Sequence, residues 1–253
     1  MPTGPAFESR AGTPGARSFP LFLAVASGGG LLFAVSLGYF LYSYQFRYGV
    51  PAPDGRWLAP AAADVLLFSA FAMHHSACAR TPFKAWVQRW SPPVLERSIY
   101  TWIASLIFIW VCWLWQPVPG VLYRFEEPWR WLGYTAQAAG IVITFLGSRA
   151  LDVLDLAGVR AVLRARAGTD PARVRLSTSG VFAIVRHPLY FGWTLVVCGA
   201  PDMTATRAVF ALVSSAYVAI AISWEERGLV ERFGAQYEAY RRRVRWKMLP
   251  GIY

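Results

Sequence analysis

The sequence predicts an all-α, polytopic integral membrane protein with about six membrane-embedded helices and a C-terminal amphipathic helix on the cytoplasmic side. Three observations predict it. Hydrophobic residues make up 56% of the chain and charged residues only 15%, where a soluble domain carries about 25% charge. Charge-free runs recur, the first over Phe19–Tyr44, longer than the ~20 residues needed to cross a hydrocarbon core. The net charge of +11 collects in alternate connecting segments, the bias of basic loops toward the cytoplasm. That bias accounts for the Arg excess with membrane lipids as surroundings and no nucleic acid as partner.

Taken in order, residues 1–18 are rich in Pro, Gly and Ala and read as a disordered N-terminal tail. Residues 19–253 then form a single domain. The first span carries Gly28-Gly29-Gly30, small residues that let helices approach closely in lipid. The second, about Ala61–Ala79, ends on His74-His75-Ser76; imidazoles inside a span are costly to bury and point to function. The basic stretch Arg80–Arg97 is expected in the cytoplasm, followed by a third span over about Ile99–Trp115 and a charge-balanced outer loop. A fourth span covers about Trp131–Gly147. Ser148–Val185 is polar and basic, with Asp152, Asp155 and Arg160. The fifth, about Pro188–Ala200, is short for a crossing, and the sixth runs over about Thr206–Trp224. Both termini then lie in the cytoplasm.

The chemistry-bearing residues gather near the C-terminus. Arg186-His187-Pro188 opens the fifth span and Glu225-Glu226 closes the sixth. Beyond it, Glu226, Val230, Phe233, Tyr237 and Tyr240 follow helical spacing and share one face. A pocket bounded by Arg186, His187, Glu225 and Glu226 suits a zwitterion: a cation for a carboxylate, a carboxylate for an ammonium, aromatic faces for a sulfonium or adenine. S-adenosylmethionine has those groups, although a dinucleotide also uses Arg and Tyr. No G-x-G-x-x-G follows a predicted strand, and no Ser-His-Asp or Cys-His order stands out. Cys78, Cys112 and Cys198 match neither zinc spacing nor a disulfide framework, and no metal is expected.

These motifs resemble the isoprenylcysteine carboxyl methyltransferase/NnrU-like membrane methyltransferase superfamily. The likeness covers roughly Ala61–Pro250 and rests on Arg186-His187-Pro188-Leu189-Tyr190 with Gly192, Glu225-Glu226, and Phe233-Gly234 with Tyr237 and Tyr240. Further matches resemble the methanethiol S-methyltransferase subgroup: His75-Ser76 with Arg80, Phe83-Lys84, Glu96-Arg97-Ser98 with Tyr100, Asp152, Asp155-Leu156, Arg160 and Met203-Thr204. Val153 and Ala161 depart from that subgroup, where a His and a Gln are expected near the acceptor.

The resemblance implies a multi-pass enzyme of the bacterial inner membrane that methylates a small thiol with S-adenosyl-L-methionine. Its cofactor residues are Arg186, His187, Tyr190, Gly192, Glu225, Glu226, Phe233, Tyr237 and Tyr240, within a cofactor-binding part over about residues 148–250. Ser76, Arg80, Arg97, Asp152, Asp155 and Arg160 fall on the acceptor side. His75 and Glu226 are the candidate bases. Rival implications are a prenylcysteine or lipid acceptor, an NADPH-dependent sterol-type reductase, which shares the Arg-His-Pro-x-Tyr element, and a non-enzymatic NnrU-like accessory protein.

Overall fold

The computed structural model describes residues 17–78, 86–169 and 175–253. The expected tail, apart from Arg17 and Ser18, lies outside the described residues, as do the candidate Arg80 and the matches at Phe83 and Lys84. The fold is a helical membrane bundle. Among the described residues, four stretches are long and apolar enough to cross a membrane: Phe19–Arg47, Leu58–Cys78, Pro93–Leu114 and Ala205–Phe233. They contain α1 (Phe19–Tyr42), α2 (Leu58–Cys78), α3 (Glu96–Leu114) and, further along, α8 (Ala205–Phe233). Between α3 and α8 come α4 (Arg130–Ala150), α5 (Val153–Leu156), α6 (Val159–Ala167) and α7 (Pro188–Cys198); α9 (Ala235–Arg243) follows α8.

The fourth and fifth expected spans are thus present as helices, α4 and α7, with different credentials. At 11 residues, α7 is only about 16 Å long at 1.5 Å per residue, half of a ~30 Å core. It lies against α4, and the two backbones come close because small residues line both. A Cβ on Gly140 would stand 2.5 Å from the Gly192 carbonyl oxygen, so neither position accepts a larger residue without separating the helices. On the other side of the bundle, the Trp102 indole of α3 lies over Gly28 and Gly29 of α1 and donates to the Val25 carbonyl at 2.8 Å.

An aromatic cluster fills the middle. Phe40 stacks on Trp193 at 4.6 Å and on Phe210 at 5.2 Å, joining α1, α7 and α8, and Phe68 and Phe108 close it from α2 and α3. One end of this core is tied by polar groups. After Tyr42 the first helix widens into a π turn over Ser43–Arg47, which loosens the backbone hydrogen bonding there. Arg207, 4% exposed near the start of α8, takes up the carbonyls: Nε donates to Tyr44 O at 2.9 Å, Nη2 to Gln45 O at 2.9 Å and Nη1 to Asp202 O at 2.6 Å. Asp64 of α2, fully buried, accepts from the Gln116 N–H at 2.8 Å. At this end of the bundle backbone groups satisfy Arg207 and one oxygen of Asp64; the other Asp64 oxygen, Oδ2, is buried without a hydrogen-bond partner among the described residues.

Two features depart from the sequence expectation. The all-α reading omits a small antiparallel pairing of β1 (Val121–Arg124) with β2 (Asp202–Thr204). It forms because the α3–α4 and α7–α8 connections meet at the same end and satisfy each other's backbone groups. The sixth span does not stop at Trp224. Helix α8 runs 29 residues to Phe233, about 44 Å at 1.5 Å per residue, so its last turns outreach a ~30 Å hydrocarbon core. The expected single amphipathic face is therefore divided by Gly234, whose φ of +51° ends α8 and starts α9. Phe233, Tyr237 and Tyr240 still converge, with Leu176, Leu229 and Val244, into one apolar cluster.

Arg207→Leu should leave three carbonyls without their donor and cost at least ~2 kcal/mol, since each buried unsatisfied group costs about 1–3 kcal/mol. The check is the unfolding midpoint in detergent; an unchanged midpoint would mean the π turn is satisfied without this side chain.

Candidate functional site

The site is assembled where the chain enters α7 and leaves α8. A short turn over Gly180–Ala183 leads to Val185, buried, and then to two backbone bonds that fasten the segment to the C-terminal stretch: Arg186 N to Trp246 O at 3.0 Å and His187 N to Lys247 O at 2.8 Å. Pro188 starts α7, where its missing N–H costs nothing. So fixed, Arg186 turns inward. Its Nε donates to Glu226 Oε1 at 2.6 Å, and its Nη1 donates to the Val244 and Arg245 carbonyls, both at 2.8 Å. Both partners of this ion pair are 7% exposed, and burial of that depth is tolerated because each charge is paired and hydrogen-bonded.

His187 completes the cluster. Its Nε2 lies 3.3 Å from Glu226 Oε1 and its Nδ1 3.5 Å from Glu225 Oε2, and its ring lies parallel to Tyr190 at 5.6 Å. Burial disfavours the imidazolium, but the two carboxylates outweigh it and hold the His187 pKa above its ordinary 6.5. The consecutive residues Glu225 and Glu226 point differently. Glu226 is consumed by Arg186 and His187, while the Glu225 side chain is 46% exposed. A cavity of about 190 Å³ opens beside them, lined by His187, Tyr190, Glu225, Phe233, Tyr237 and Tyr240 and edged by Arg175 and Arg232. The Tyr240 hydroxyl donates to Phe182 O at 2.7 Å. The buried Tyr237 hydroxyl has no hydrogen-bond partner among the described residues, and burial pushes its pKa above the ordinary tyrosine value.

The family model for phospholipid methyltransferases matches residues 128–236, which include Arg186, His187, Glu225 and Glu226. The chain is 34% identical over 228 residues to methanethiol S-methyltransferase 2 of Bradyrhizobium diazoefficiens, covering 85% of this chain and 87% of the relative. It is 37% identical over 182 residues to the methanethiol S-methyltransferase of Crocosphaera subtropica, covering 72% and 71%. To that of Mycobacterium tuberculosis it is 31% identical over 238 residues, covering 91% and 92%. The chain belongs to the methanethiol S-methyltransferase family. It is a membrane methyltransferase. No solved structure matches it.

In this methyltransferase the remaining candidates fall into two groups. His75 sits in the last turns of α2, outside the lining of the cavity, with Nδ1 2.8 Å from the Tyr100 hydroxyl of α3. It is within electrostatic range of Glu225. The neighbouring Ser76 hydroxyl is 3.0 Å from Tyr217 of α8. The other candidates pair among themselves. Asp155 bridges Arg97 at 2.5 Å and Arg164 at 2.9 Å, and Asp152 pairs with Arg160. These partly exposed ion pairs hold α5 and α6 to the start of α3, and solvent screening keeps the contribution of each small. Gly192 faces α4 rather than the cavity. Sequence reasoning missed Arg175 and Arg232 at the cavity edge and Tyr217 beside His75, whereas Tyr100, the other neighbour of His75, belongs to the Glu96-Arg97-Ser98 motif. Arg232 stands seven residues after Glu225 near the end of α8, a spacing that puts the two on one helix face and could have found it; Tyr217 lies on a different helix from His75 and carries no local signal.

A raised pKa fixes the sign of the pH dependence. The stability contributed by protonated His187 is complete below its ordinary value of 6.5 and is lost as pH rises through the folded-state pKa. The thermal stability of wild type over His187→Asn, measured in detergent, should therefore shrink as pH rises from below 6.5 through the raised folded-state pKa. A pH-independent difference would mean that the imidazole is neutral throughout.

Proposed function

We propose that this methyltransferase moves a methyl group from S-adenosyl-L-methionine to methanethiol or a similarly small thiol, giving the thioether. The observation that carries the reading is the cavity beside the Arg186–His187–Glu226 cluster: a half-exposed Glu225 carboxylate, the buried Tyr237 side chain and cations Arg175 and Arg232 surround one small space. Glu225 suits an ammonium, Arg175 or Arg232 a carboxylate, and Tyr190, Phe233 and Tyr237 a sulfonium. At about 190 Å³, below the ~300–1,000 Å³ of most ligand clefts, the cavity fits the amino-acid end of such a donor rather than all of it. The relatives' names support a small thiol as acceptor over a prenylated or lipid one, and methyl transfer over reduction or an accessory role.

When bound, the donor supplies an electrophilic methyl group on a sulfonium. The chain's residues orient the partners, exclude water and take the acceptor's proton. Arg186 and Glu226 hold each other and His187, so the positioning of Glu225 depends on them. His75 is the base: both ring nitrogens lie within reach of the Tyr100 hydroxyl, Nδ1 at 2.8 Å and Nε2 at 3.3 Å, and in the neutral ring the nitrogen without a proton keeps a lone pair for the thiol proton. As the sulfur–carbon bond forms on the acceptor, the donor's bond to that methyl breaks, and the proton remains on His75. Ser76 lies beside it, and Asp152, Asp155, Arg97 and Arg160 steady the α5–α6 wall.

The domain works as six membrane-embedded helices, α4 and α7 included, with both termini and α9 on the cytoplasmic side of a bacterial inner membrane. The basic segments at the α9 end support that orientation.

Two measurements test this reading. Purified protein should bind labelled S-adenosyl-L-methionine and convert methanethiol to dimethyl sulfide. His75→Gln should lower kcat by about 10²–10⁴-fold, the usual contribution of a general base, with donor affinity intact; full turnover in that variant would remove the base. For topology, reporter fusions after Arg89 and after Glu127 should read oppositely, and the same readout from both would overturn the six-helix arrangement.

A further inference from the structure

A groove of about 560 Å³ runs between α2 and α8, and the reaction described above makes no use of it. Phe68, Ala72, Met73, Val213, Ala216 and Ile220 line it. Met73 is 72% exposed and Ile220 57%, and both sit on spanning helices, so the groove faces hydrocarbon rather than water. Its inner wall is different. Tyr217 lines it, donating to or accepting from Ser76 at 3.0 Å. The same ring meets His75 edge-on at 6.5 Å and lies within electrostatic range of Tyr190 and Glu225. One side chain thus separates a lipid-facing apolar groove from the groups assigned to methyl transfer.

We propose that apolar thiols pass from the bilayer through this groove to His75, and that Tyr217, held by Ser76, limits the size of thiol accepted. The inference rests on the small-thiol reading above. A neutral thiol is a weak hydrogen-bond donor and loses little on leaving water, whereas a thiolate is costly to desolvate. The acceptor therefore arrives protonated through hydrocarbon and must give up its proton at the inner end of the route, where His75 stands one residue from Ser76. The thioether product is apolar as well and leaves the same way, while the proton is passed from His75 toward water. The groove is far larger than a one-carbon thiol. Longer chains are excluded by the Tyr217 ring at its inner end, not by the groove itself.

The test compares methanethiol with hexanethiol as acceptors for the full-length protein in lipid vesicles, with donor binding measured alongside. Tyr217→Ala should raise the hexanethiol-to-methanethiol ratio of kcat/KM by about 10–200-fold, the range that small changes in an apolar pocket produce. Tyr217→Phe, which keeps the ring and removes the bond to Ser76, should move the ratio less. Ala216→Phe narrows the groove from its wall and should raise KM for both thiols without changing donor affinity. An unchanged ratio in Tyr217→Ala with normal donor binding overturns the proposal. So does an unchanged KM in Ala216→Phe, which decides the question if Tyr217→Ala does not fold. Wild-type protein that methylates neither thiol would instead overturn the small-thiol reading, a result distinct from active variants with unaltered selectivity.

Discussion

The buried ion pair between Arg186 and Glu226 is the contact on which the site depends. Arg186 joins three parts of the chain that are remote in sequence: the entry to α7, the far end of α8 and the C-terminal stretch at Val244–Arg245. A guanidinium has the rigid, forked donor geometry to do this, and a lysine ammonium lacks it. The arrangement also divides labour between adjacent glutamates. Glu226 neutralises the buried cation, and Glu225, 100° further round the helix, is left half exposed beside His187 at the cavity. Two carboxylates, one guanidinium and one imidazolium sum to zero charge, a condition for keeping such a cluster at the border of hydrocarbon.

Length and packing explain how that border is reached. Helix α8 exceeds the thickness of a hydrocarbon core, so it carries Glu225 and Glu226 to its far end without a break in backbone hydrogen bonding. Helix α7 is far shorter, and its contact with α4 through Gly140 and Gly192 supplies what its length does not. Charge is handled in opposite ways at the two ends of the bundle. Arg207 is spent on backbone carbonyls of the π turn, and Asp64 gives one oxygen to the α3 exit. At the other end Glu225, Arg175 and Arg232 stand at a cavity with ligand-binding capacity to spare.

Much was legible in the chain itself. Charge-free runs and hydropathy marked the four stretches that are long and apolar enough to cross a membrane, because hydrocarbon offers no partners for exposed backbone and leaves only helices for runs of this kind. Arg-His-Pro, Glu-Glu and Phe-Gly were visible as a charged and aromatic border, and the small residues Gly28–Gly30 did mark a close helix contact. Those are local properties: periodicity, a missing N–H, a residue with no side chain. Tertiary structure alone decided the rest. It gave Glu226 to Arg186 and left Glu225 at the cavity, a choice that adjacent identical residues cannot express. It turned the amphipathic tail at Gly234, and it paired Asp152, Asp155, Arg97 and Arg160 with one another. It also set Tyr100 and Tyr217, from two other helices, beside His75. The physical reason is that partners in most of these interactions are separated by tens to more than a hundred residues, so their meeting is fixed by helix packing and burial, which no local stretch of sequence records.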